Sequence, residues 1–412
     1  MLIRTSVCSA LHFRRLGIVN CATLLLIIIL ATGCKAQSFN DTAHVVTGAE
    51  RTSEYLPALK GKNVAIVANP TSQINGTHLV DSLISLKVKV KLVFAPEHGF
   101  RGEAEAGEHV EDGFDKKSGV KVVSLYGNHK KPTAEDLKNI DLVVFDIQDV
   151  GARFYTYIST LQYVMEACAD NKIPLMIFDR PNPHGYYIDG PVLDTAFRSF
   201  IGMQPIPVVH GMTMAEYALM LSGEHWLNTK NVCKTTIIKM TGWDHNVLYR
   251  LPIPPSPNLL TQAAINLYPS LCFFEGTKVS LGRGTDLPFQ QIGYPGNPDG
   301  TKEFTPISIP GKAKNPPHEG EKCIGYDLTD FGTLYADHGG KLYLNWLMQL
   351  YNDAPVKTDF FTPFFEKLAG NALLRKQIES GDTEDQIRNS WGPDLENFRA
   401  IRKKYLLYTD FK

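Results

Sequence analysis

The sequence predicts an α/β protein in which a doubly wound parallel sheet is followed by a smaller α+β domain. Short apolar runs alternate with helical stretches through the first half of the chain, and a proline-rich segment ends this alternation. The 412 residues are also too many for one compact core. We therefore expect two packed domains, at residues 51–251 and 252–412.

Five short runs rich in Val, Ile, Leu and Phe are the predicted strands of the sheet. Strands that are buried on both faces of a parallel sheet have this composition, and each run is bounded by polar or turn residues. The runs are Val64–Ala68, Val88–Ala95, Val120–Leu125, Leu142–Ile147 and Leu175–Phe178.

Helical patterns lie between these runs and after them. The stretches are His78–Leu86, Ala134–Asn139 and Tyr157–Asn171. In the last of them the apolar side chains recur at helical spacing, which forms one stripe suited to packing on a sheet. Thr213 precedes a further predicted helix over 214–221, and Glu216 stands where a capping box needs its carboxylate.

The second domain is predicted from a change of pattern at Pro252–Pro257. This proline-rich stretch indicates a linker or a rigid loop. Beyond it strands and helices are mixed, Gly and Pro are more frequent, and a charged helical pattern begins near Thr383. These features favour a smaller α+β domain.

The first 34 residues are predicted to be a signal segment rather than part of the fold. Basic residues precede the apolar run Ile18–Ala31, which is short for a membrane-spanning helix and ends at small residues before Cys34. This end resembles the lipobox of bacterial lipoproteins, in which the cysteine is acylated and anchors the chain. We therefore expect residues 35–50 to be a tether and the protein to be lipid-anchored in the cell envelope, on the periplasmic side. An uncleaved N-terminal helix is the alternative.

Composition and motifs exclude several classes of protein. The formal net charge is -1 and the basic residues are scattered, which gives no electrostatic case for nucleic acid. The short run His129–Lys131 is predicted to be a solvated loop. The spacing of Cys and His matches no metal site, and no dinucleotide, P-loop or nucleophile-elbow motif is present, so we expect neither a metal nor a cofactor.

Polar residues follow the predicted strands, whose carboxyl ends lie along one edge of a parallel sheet, where ligands bind. We expect these side chains to converge on one crevice. The residues are Asn69 after the first strand, Glu97, His98 and Arg101 after the second, Asp149, Arg153 and Tyr155 after the fourth, Arg180 and Asn182 after the fifth, and His210 after a further predicted strand at 206–209.

Glu97 is the leading candidate for a reactive group. It directly follows a buried strand, and Gly99 and Gly102 allow tight backbone paths beside it. A carboxyl group at the mouth of an apolar sheet is partly withdrawn from water, as general acids are. A helix-capping or ion-paired glutamate explains the same position, and the residues alone leave both interpretations open.

Glu275 and Arg283 are the candidates in the second half. Gly282 and Gly284 flank Arg283, so the backbone can approach a ligand closely while the guanidinium binds a carboxylate. A plain glycine-rich turn explains this segment equally well.

Taken together, these motifs resemble the NamZ-type exo-β-N-acetylmuramidases. The combination is specific, and it spans most of the chain up to Phe289. The matching stretches are Asn69–Thr71, Pro96–Glu108, Phe145–Tyr157, Asp179–Pro183, Ser256–Asn258 and Tyr268–Phe289.

The resemblance implies a Rossmann-like N-terminal domain, a smaller C-terminal domain and a catalytic cleft between them. It implies a glycoside hydrolase that releases N-acetylmuramic acid from the non-reducing end of peptidoglycan fragments. Glu97 matches the catalytic glutamate of the family. Glycosidases usually need a second carboxylate, for which Glu108 and Asp149 are candidates between which the sequence does not choose.

The resemblance also implies binding roles, because N-acetylmuramic acid carries a lactyl carboxylate and an acetamido group. Arg153, Arg180 or Arg283 would bind the carboxylate, and Tyr155, Asn182 or Asn258 the hydroxyls or the amide. Two alternatives stay open: a non-catalytic envelope lipoprotein that binds muropeptides, and an esterase or amidase acting on wall substituents.

Overall fold

The computed structural model describes residues 44–101, 112–335 and 339–411. The predicted signal segment, Cys34, most of the predicted tether and Glu108 lie outside the described residues. Within those ranges, no helix is both long enough and apolar enough to cross a membrane.

Twelve strands are described. They are β1 (Asn63–Ala68), β2 (Gln73–Ile74), β3 (Thr77–His78), β4 (Lys89–Ala95), β5 (Gly113–Phe114), β6 (Lys121–Ser124), β7 (Leu142–Asp146), β8 (Leu175–Phe178), β9 (Thr235–Ile238), β10 (Gln291–Tyr294), β11 (Lys302–Phe304) and β12 (Cys323–Asp327).

Ten α-helices are described with them. They are α1 (Thr52–Leu59), α2 (Leu79–Ser85), α3 (Tyr157–Asp170), α4 (Met214–Gly223), α5 (Gln262–Leu271), α6 (Thr329–Thr333), α7 (Asn345–Asp353), α8 (Phe365–Ala369), α9 (Leu373–Ser380) and α10 (Glu384–Arg402).

The main sheet has the strand order β5-β6-β4-β1-β7-β8-β9. All neighbouring strands are parallel except β5 and β6, which pair antiparallel. From β1 in the middle, the chain winds outward through β4 and β6, then returns and winds the other way through β7, β8 and β9. This doubly wound order confirms the predicted fold class. Ligands bind such sheets at the carboxyl ends of the strands, near the point where the winding reverses.

Both faces of the sheet are covered, which explains why its strands read as continuous apolar runs. Ala65 and Val67 of β1 point to one side and belong to a hydrophobic cluster with α3 and α4. Val64 and Ile66 point to the other side and pack with α1 and α2.

The second half is a smaller α+β region, as predicted. Its sheet is antiparallel, in the order β10-β12-β11, and helices α5–α10 surround it. Leu267, Phe273 and Phe365 belong to the same hydrophobic cluster as one face of the main sheet. The two halves therefore share a core, and the proposed domain limits remain a prediction.

The segment after α10 returns to the main-sheet half, which the sequence did not indicate. The hydroxyl of Tyr408 donates to the carboxylate of Asp179 at 2.7 Å, and the amide of Leu407 donates to Glu216 at 2.9 Å. Asp179 and Glu216 are fully buried, and burial raises the pKa of Asp179 to about 7. We call residues 405–411 the C-terminal strap. Its contacts add to those that Thr213, Ala215 and His245 make with the same buried carboxyl groups.

Several helix ends agree with the prediction. Thr213 and Glu216 form the expected capping box at the start of α4, and Thr383 caps α10. Capping residues are readable because a short side-chain oxygen satisfies an amide that the first turn leaves unpaired.

Three local predictions were wrong. Residues 134–139 form turns rather than a helix, and Asn139 at their end has a positive φ of 61°. A six-residue stretch does not offset the cost of helix nucleation without packing. Residues 206–209 are not a sheet strand, since Val209 makes only isolated bridges and Pro207 lacks an amide donor. Conversely, strand β9 was not predicted, because it is partly exposed and its sequence therefore lacks a continuous apolar pattern.

Candidate active site

A cavity of about 500 Å³, which we call the catalytic cavity, opens at the carboxyl ends of β4, β6 and β7. Its walls come from both halves of the chain and combine aromatic rings with a few charged groups. The lining residues are Glu97, His98, Tyr126, Gly127, Lys130, Phe154, Tyr155, Thr156, Phe200, Ile201, Ser256, Asn258, Leu259, Tyr268, Glu275, Arg283, Phe289 and Phe364. Six of the predicted site residues are among them: Glu97, His98, Tyr155, Asn258, Glu275 and Arg283.

Glu97 is half-buried and is held from two sides. Its Oε2 accepts a hydrogen bond from the Thr156 hydroxyl at 2.8 Å, and its backbone carbonyl accepts one from the Tyr157 hydroxyl at 3.3 Å. Thr156 and Tyr157 follow β7, so two strand ends cooperate to orient one carboxylate. A group that donates or accepts a proton needs such fixed geometry.

The turn after β4 is strained, and this places Glu97 at the cavity. His98 has a φ of 71° and Gly99 a φ of 75°, and the Gly99 amide closes the turn on the Pro96 carbonyl at 3.0 Å. A left-handed conformation at a residue other than glycine costs about 1–3 kcal/mol, and such residues are concentrated at functional sites. His98 is buried and lines the cavity beside Glu97.

An aromatic wall stands next to this carboxylate. Tyr155 packs edge-on against Tyr157 at 4.9 Å and against Tyr268 at 5.5 Å between ring centroids. Its hydroxyl donates to the Pro255 carbonyl at 2.9 Å. Burial raises the pKa of Tyr155 well above its ordinary value, so the wall is uncharged. Rings of this kind provide apolar faces on which a sugar can pack.

Glu275 and Arg283 form an ion pair on the opposite wall, with 2.6 Å between Oε1 and a guanidinium nitrogen. The guanidinium also lies 4.9 Å from the centre of the Phe289 ring. Burial alone would lower the pKa of Arg283, but the Glu275 carboxylate raises it. The carboxyl group of Glu275 and the guanidinium of Arg283 therefore stand together at the cavity.

The glycines around Arg283 are required by the protein's own backbone. At Gly284, whose φ is 79°, an added Cβ would lie 2.4 Å from the Ile307 carbonyl oxygen. At Gly282 it would lie 2.7 Å from the Leu287 carbonyl oxygen. We predicted that the backbone at these glycines would approach a ligand closely. In the structure it approaches other backbone segments of the protein itself.

Lys130 was not predicted to belong to the site. It lines the catalytic cavity, and its Nζ lies 4.6 Å from the centre of the Phe200 ring. The adjacent Lys131 instead pairs with Glu166 at 3.1 Å. Residues 129–131 form a partly exposed loop, as predicted, but the place of Lys130 in the site was not predicted. The sequence contained one indication of this role, because Lys130 is a basic residue in the loop that follows the third predicted strand.

Three predicted arginines are not brought to the cavity. Arg180 is buried and makes a two-pronged contact with Asp146 at 2.6 and 2.9 Å. Arg101 pairs with Asp115 and Asp81. Arg153 is fully buried and donates to four backbone carbonyls, those of Pro191, Ile206, Leu368 and Ala369, at 2.7–2.8 Å. All three guanidiniums are therefore engaged by acceptors of the protein itself.

Three further predicted residues are buried behind the cavity. Asn69 accepts from the Thr71 amide at 3.0 Å, and Asn182 donates to the Met212 carbonyl at 2.9 Å. His210 is 1% exposed, and burial lowers its pKa to about 3. These side chains hold the loops that follow the strands.

Of the two candidates for a second catalytic carboxylate, Asp149 is described by the structure and Glu108 is not. Asp149 is buried and does not line the cavity, and its Oδ2 accepts from the Gly151 amide at 2.7 Å. Burial raises its pKa to about 7. Glu108 lies outside the described residues. Among the residues that the structure describes, Glu275 is the one other carboxylate that lines the catalytic cavity beside Glu97.

Comparisons with known proteins agree along nearly the whole chain. A model described as "Exo-beta-N-acetylmuramidase NamZ, N-terminal" matches residues 64–263, and its C-terminal counterpart matches residues 266–408. The chain is 40% identical over 406 residues to the peptidoglycan beta-N-acetylmuramidase NamZ of Bacillus subtilis (strain 168), covering 92% of this chain and 96% of that one.

Two solved structures, both of DUF1343 family proteins from Bacteroides fragilis NCTC 9343, have the same fold. One is 46% identical with a TM-score of 0.82, and the other is 29% identical with a TM-score of 0.72. In each case the match covers 89% of this chain and 99% of the other.

Proposed function

The chain belongs to the family of NamZ exo-β-N-acetylmuramidases, and from this premise we propose that Glu97 is the acid/base catalyst that removes terminal N-acetylmuramic acid from peptidoglycan fragments. The protein is accordingly a glycosidase. The observation that carries the role of Glu97 is its place in the catalytic cavity, oriented by Thr156 and facing aromatic and cationic walls.

In this proposal Glu97 donates a proton to the glycosidic oxygen as the bond to the departing sugar breaks. Positive charge then develops at the anomeric carbon. Glu275 is the carboxyl group that we assign to stabilise this charge, because it is the other one, besides Glu97, among the described residues that line the catalytic cavity. The acetamido oxygen of the substrate bonds to the anomeric carbon as the glycosidic bond breaks, so that no second protein nucleophile is needed. Water, which gives a proton back to Glu97, then opens the resulting oxazolinium ring and releases N-acetylmuramic acid.

The test of the proposed function uses two chromogenic sugars, para-nitrophenyl N-acetylmuramic acid and its N-acetylglucosamine analogue. Release of nitrophenol from the muramic substrate alone supports the proposal. No release, together with measurable binding of a muramyl disaccharide, would instead favour the non-catalytic binding protein. Release of acyl groups or peptide without free sugar would favour the esterase or amidase.

Lys130 and Arg283 are the cations that we assign to the lactyl carboxylate, since both line the catalytic cavity. We expect Lys130→Met to lower the preference for muramic acid over glucosamine by about 10- to 100-fold, the value of one charge-assisted hydrogen bond. The measurement is the ratio of kcat/KM for the two chromogenic substrates. Arg283→Ala should reduce the same ratio and also kcat, because it releases Glu275.

Lys131→Met is the matched control for this prediction. It removes the same charge from the next residue, whose Nζ pairs with Glu166 and does not line the cavity. A Lys130→Met enzyme that discriminates as well as Lys131→Met does would show that Lys130 has no part in recognising the lactyl group.

We propose, from the sequence pattern at residues 18–34, that Cys34 is lipidated and holds the enzyme at the bacterial cell envelope, on the periplasmic side. A membrane-bound enzyme of this kind would stand next to its peptidoglycan substrate. We expect Cys34→Ala to abolish incorporation of labelled fatty acid and to release the protein from the membrane fraction. Equal labelling of the variant and the parent protein would reject the assignment of Cys34.

A further inference from the structure

A second cavity, of about 620 Å³, adjoins the catalytic cavity. The two share Glu275, Arg283 and Phe364, so the ion pair stands where they meet. An enzyme that removes one terminal sugar encloses that sugar in the catalytic cavity. The remainder of the glycan chain has to extend from the scissile bond into an adjoining space. We call the second cavity the basic cavity.

Among the described residues, the lining of the basic cavity has more basic side chains than acidic ones: Arg283, Lys312 and Lys314 against Glu275. Glu275 is the one carboxylate among the described residues that line it, and it is already paired with Arg283. Lys312 and Lys314 line the same cavity and are both exposed. Apolar side chains, among them Val279, complete the wall. An anionic ligand with apolar faces suits this combination.

The segment that carries the two lysines is fixed relative to the catalytic cavity. The side-chain amide of Asn258, which lines the catalytic cavity, donates to the Lys312 carbonyl at 2.9 Å. The Ile307 amide donates to the Gly284 carbonyl at 2.9 Å, next to Arg283, and the Ala313 amide donates to the Ile309 carbonyl at 2.9 Å. The lysines therefore stand on a braced turn at a set position relative to Glu275.

We propose that the basic cavity binds the departing part of the glycan chain, and that Lys312 and Lys314 bind the lactyl carboxylate of the next muramic acid in that chain. The inference rests on the proposed function, because it requires a glycan that carries lactyl groups. In peptidoglycan the muramic acid alternates with N-acetylglucosamine. The first sugar beyond the scissile bond therefore has no carboxylate, and the second one does.

A third cavity, of about 630 Å³, meets the catalytic cavity at Phe200 and is the competing route for the chain. Its acid, Glu166, is bonded to Lys131, and its Arg198 is bonded to Gln204. No lysine is among the described residues that line this third cavity. The basic cavity is therefore the better match for a carboxylate.

The test compares two trisaccharides of equal length, MurNAc–GlcNAc–MurNAc and MurNAc–GlcNAc–GlcNAc, which differ at the third sugar by one lactyl group. We expect the enzyme to have a kcat/KM about three- to tenfold higher for the first, as two exposed charges would give. In the Lys312→Ala/Lys314→Ala double variant this ratio should fall to about one. The rate is followed as release of free N-acetylmuramic acid from the non-reducing end.

Lys376→Ala is the control, since it removes an exposed lysine from α9 that lines neither cavity, and its ratio should equal that of the parent enzyme. If both trisaccharides are cleaved and the double variant keeps the parent ratio, the inference is overturned while the proposed function stands. If the parent enzyme cleaves neither trisaccharide and releases no nitrophenol from para-nitrophenyl N-acetylmuramic acid, the result contradicts the proposed function itself.

Discussion

Replacing Glu97 by Gln should lower kcat by about 10²- to 10⁴-fold, the usual contribution of a positioned acid/base group. The amide cannot donate a proton to the glycosidic oxygen, while its own oxygen can still accept the Thr156 hydrogen bond. The fold should therefore persist. The measurement is kcat on para-nitrophenyl N-acetylmuramic acid, with thermal unfolding recorded on the same samples.

Asp149→Asn is the matched control for this loss. Asp149 was, with Glu108, a candidate for the second catalytic carboxylate on sequence grounds, but it is buried and does not line the cavity. A mechanism centred on Glu97 predicts that Asp149→Asn retains far more activity than Glu97→Gln. The reverse order of activities would transfer the catalytic role to Asp149, and full activity in Glu97→Gln would remove Glu97 as the acid/base.

Replacing Arg153 by Ala should lower the free energy of unfolding by about 3–5 kcal/mol, the loss expected when a buried charged group with several partners is removed. Four carbonyls lose their donor at once, two in the main-sheet half at Pro191 and Ile206, and two at Leu368 and Ala369 in α8. The side chain is fully buried, and burial lowers the pKa of Arg153 to about 9. Denaturant unfolding of the full chain measures the effect.

Arg399→Ala is the control for stability, because that side chain is 49% exposed and pairs only loosely with Glu396, at 3.7 Å. Surface pairs of this kind contribute about 0–1 kcal/mol. Arg153→Lys keeps a charge but not the fork of donors, so it should lie between the two. An unchanged unfolding midpoint in Arg153→Ala would mean that the four carbonyls find other donors.

The parallel sheet could be predicted because its physical signal is local. The central strands are buried on both faces, so runs such as Leu175–Phe178 are apolar without interruption and stand out from the helices between them. Apolar runs do not identify the strand at the edge of the sheet. Strand β9 is partly exposed, and its Thr residues leave it without the long apolar run by which the buried strands were predicted. Short segments such as 134–139 fail for a different reason, since their state depends on tertiary packing.

The candidate site was predictable only in part, because sequence order fixes which strand end a residue follows but not where its side chain points. Glu97 follows β4 and Arg153 follows β7, the two strands that flank β1, yet Glu97 lines the cavity and Arg153 is buried among carbonyl groups. A fully buried guanidinium must satisfy its donors within the protein. Lys130 shows the opposite error. Arg153 was predicted for the site and lies outside it, whereas Lys130 was not predicted and lines the cavity.

The C-terminal strap has a consequence for the order in which the protein is made. Asp179 and Tyr408 are 229 positions apart, so the ribosome completes the main sheet long before the strap can add its donors to the buried carboxyl groups. Until then Asp179 has its bonds from Thr213 and Ala215, and Glu216 has those with Thr213 and His245. A nascent chain that ends at the predicted domain limit lacks the further donors from Leu407 and Tyr408. Contacts of such long sequence separation also slow folding. The contacts of the strap therefore add to stability only after residues 405–411 have been synthesised, and chaperones that hold unfinished chains have a defined interval in which to act.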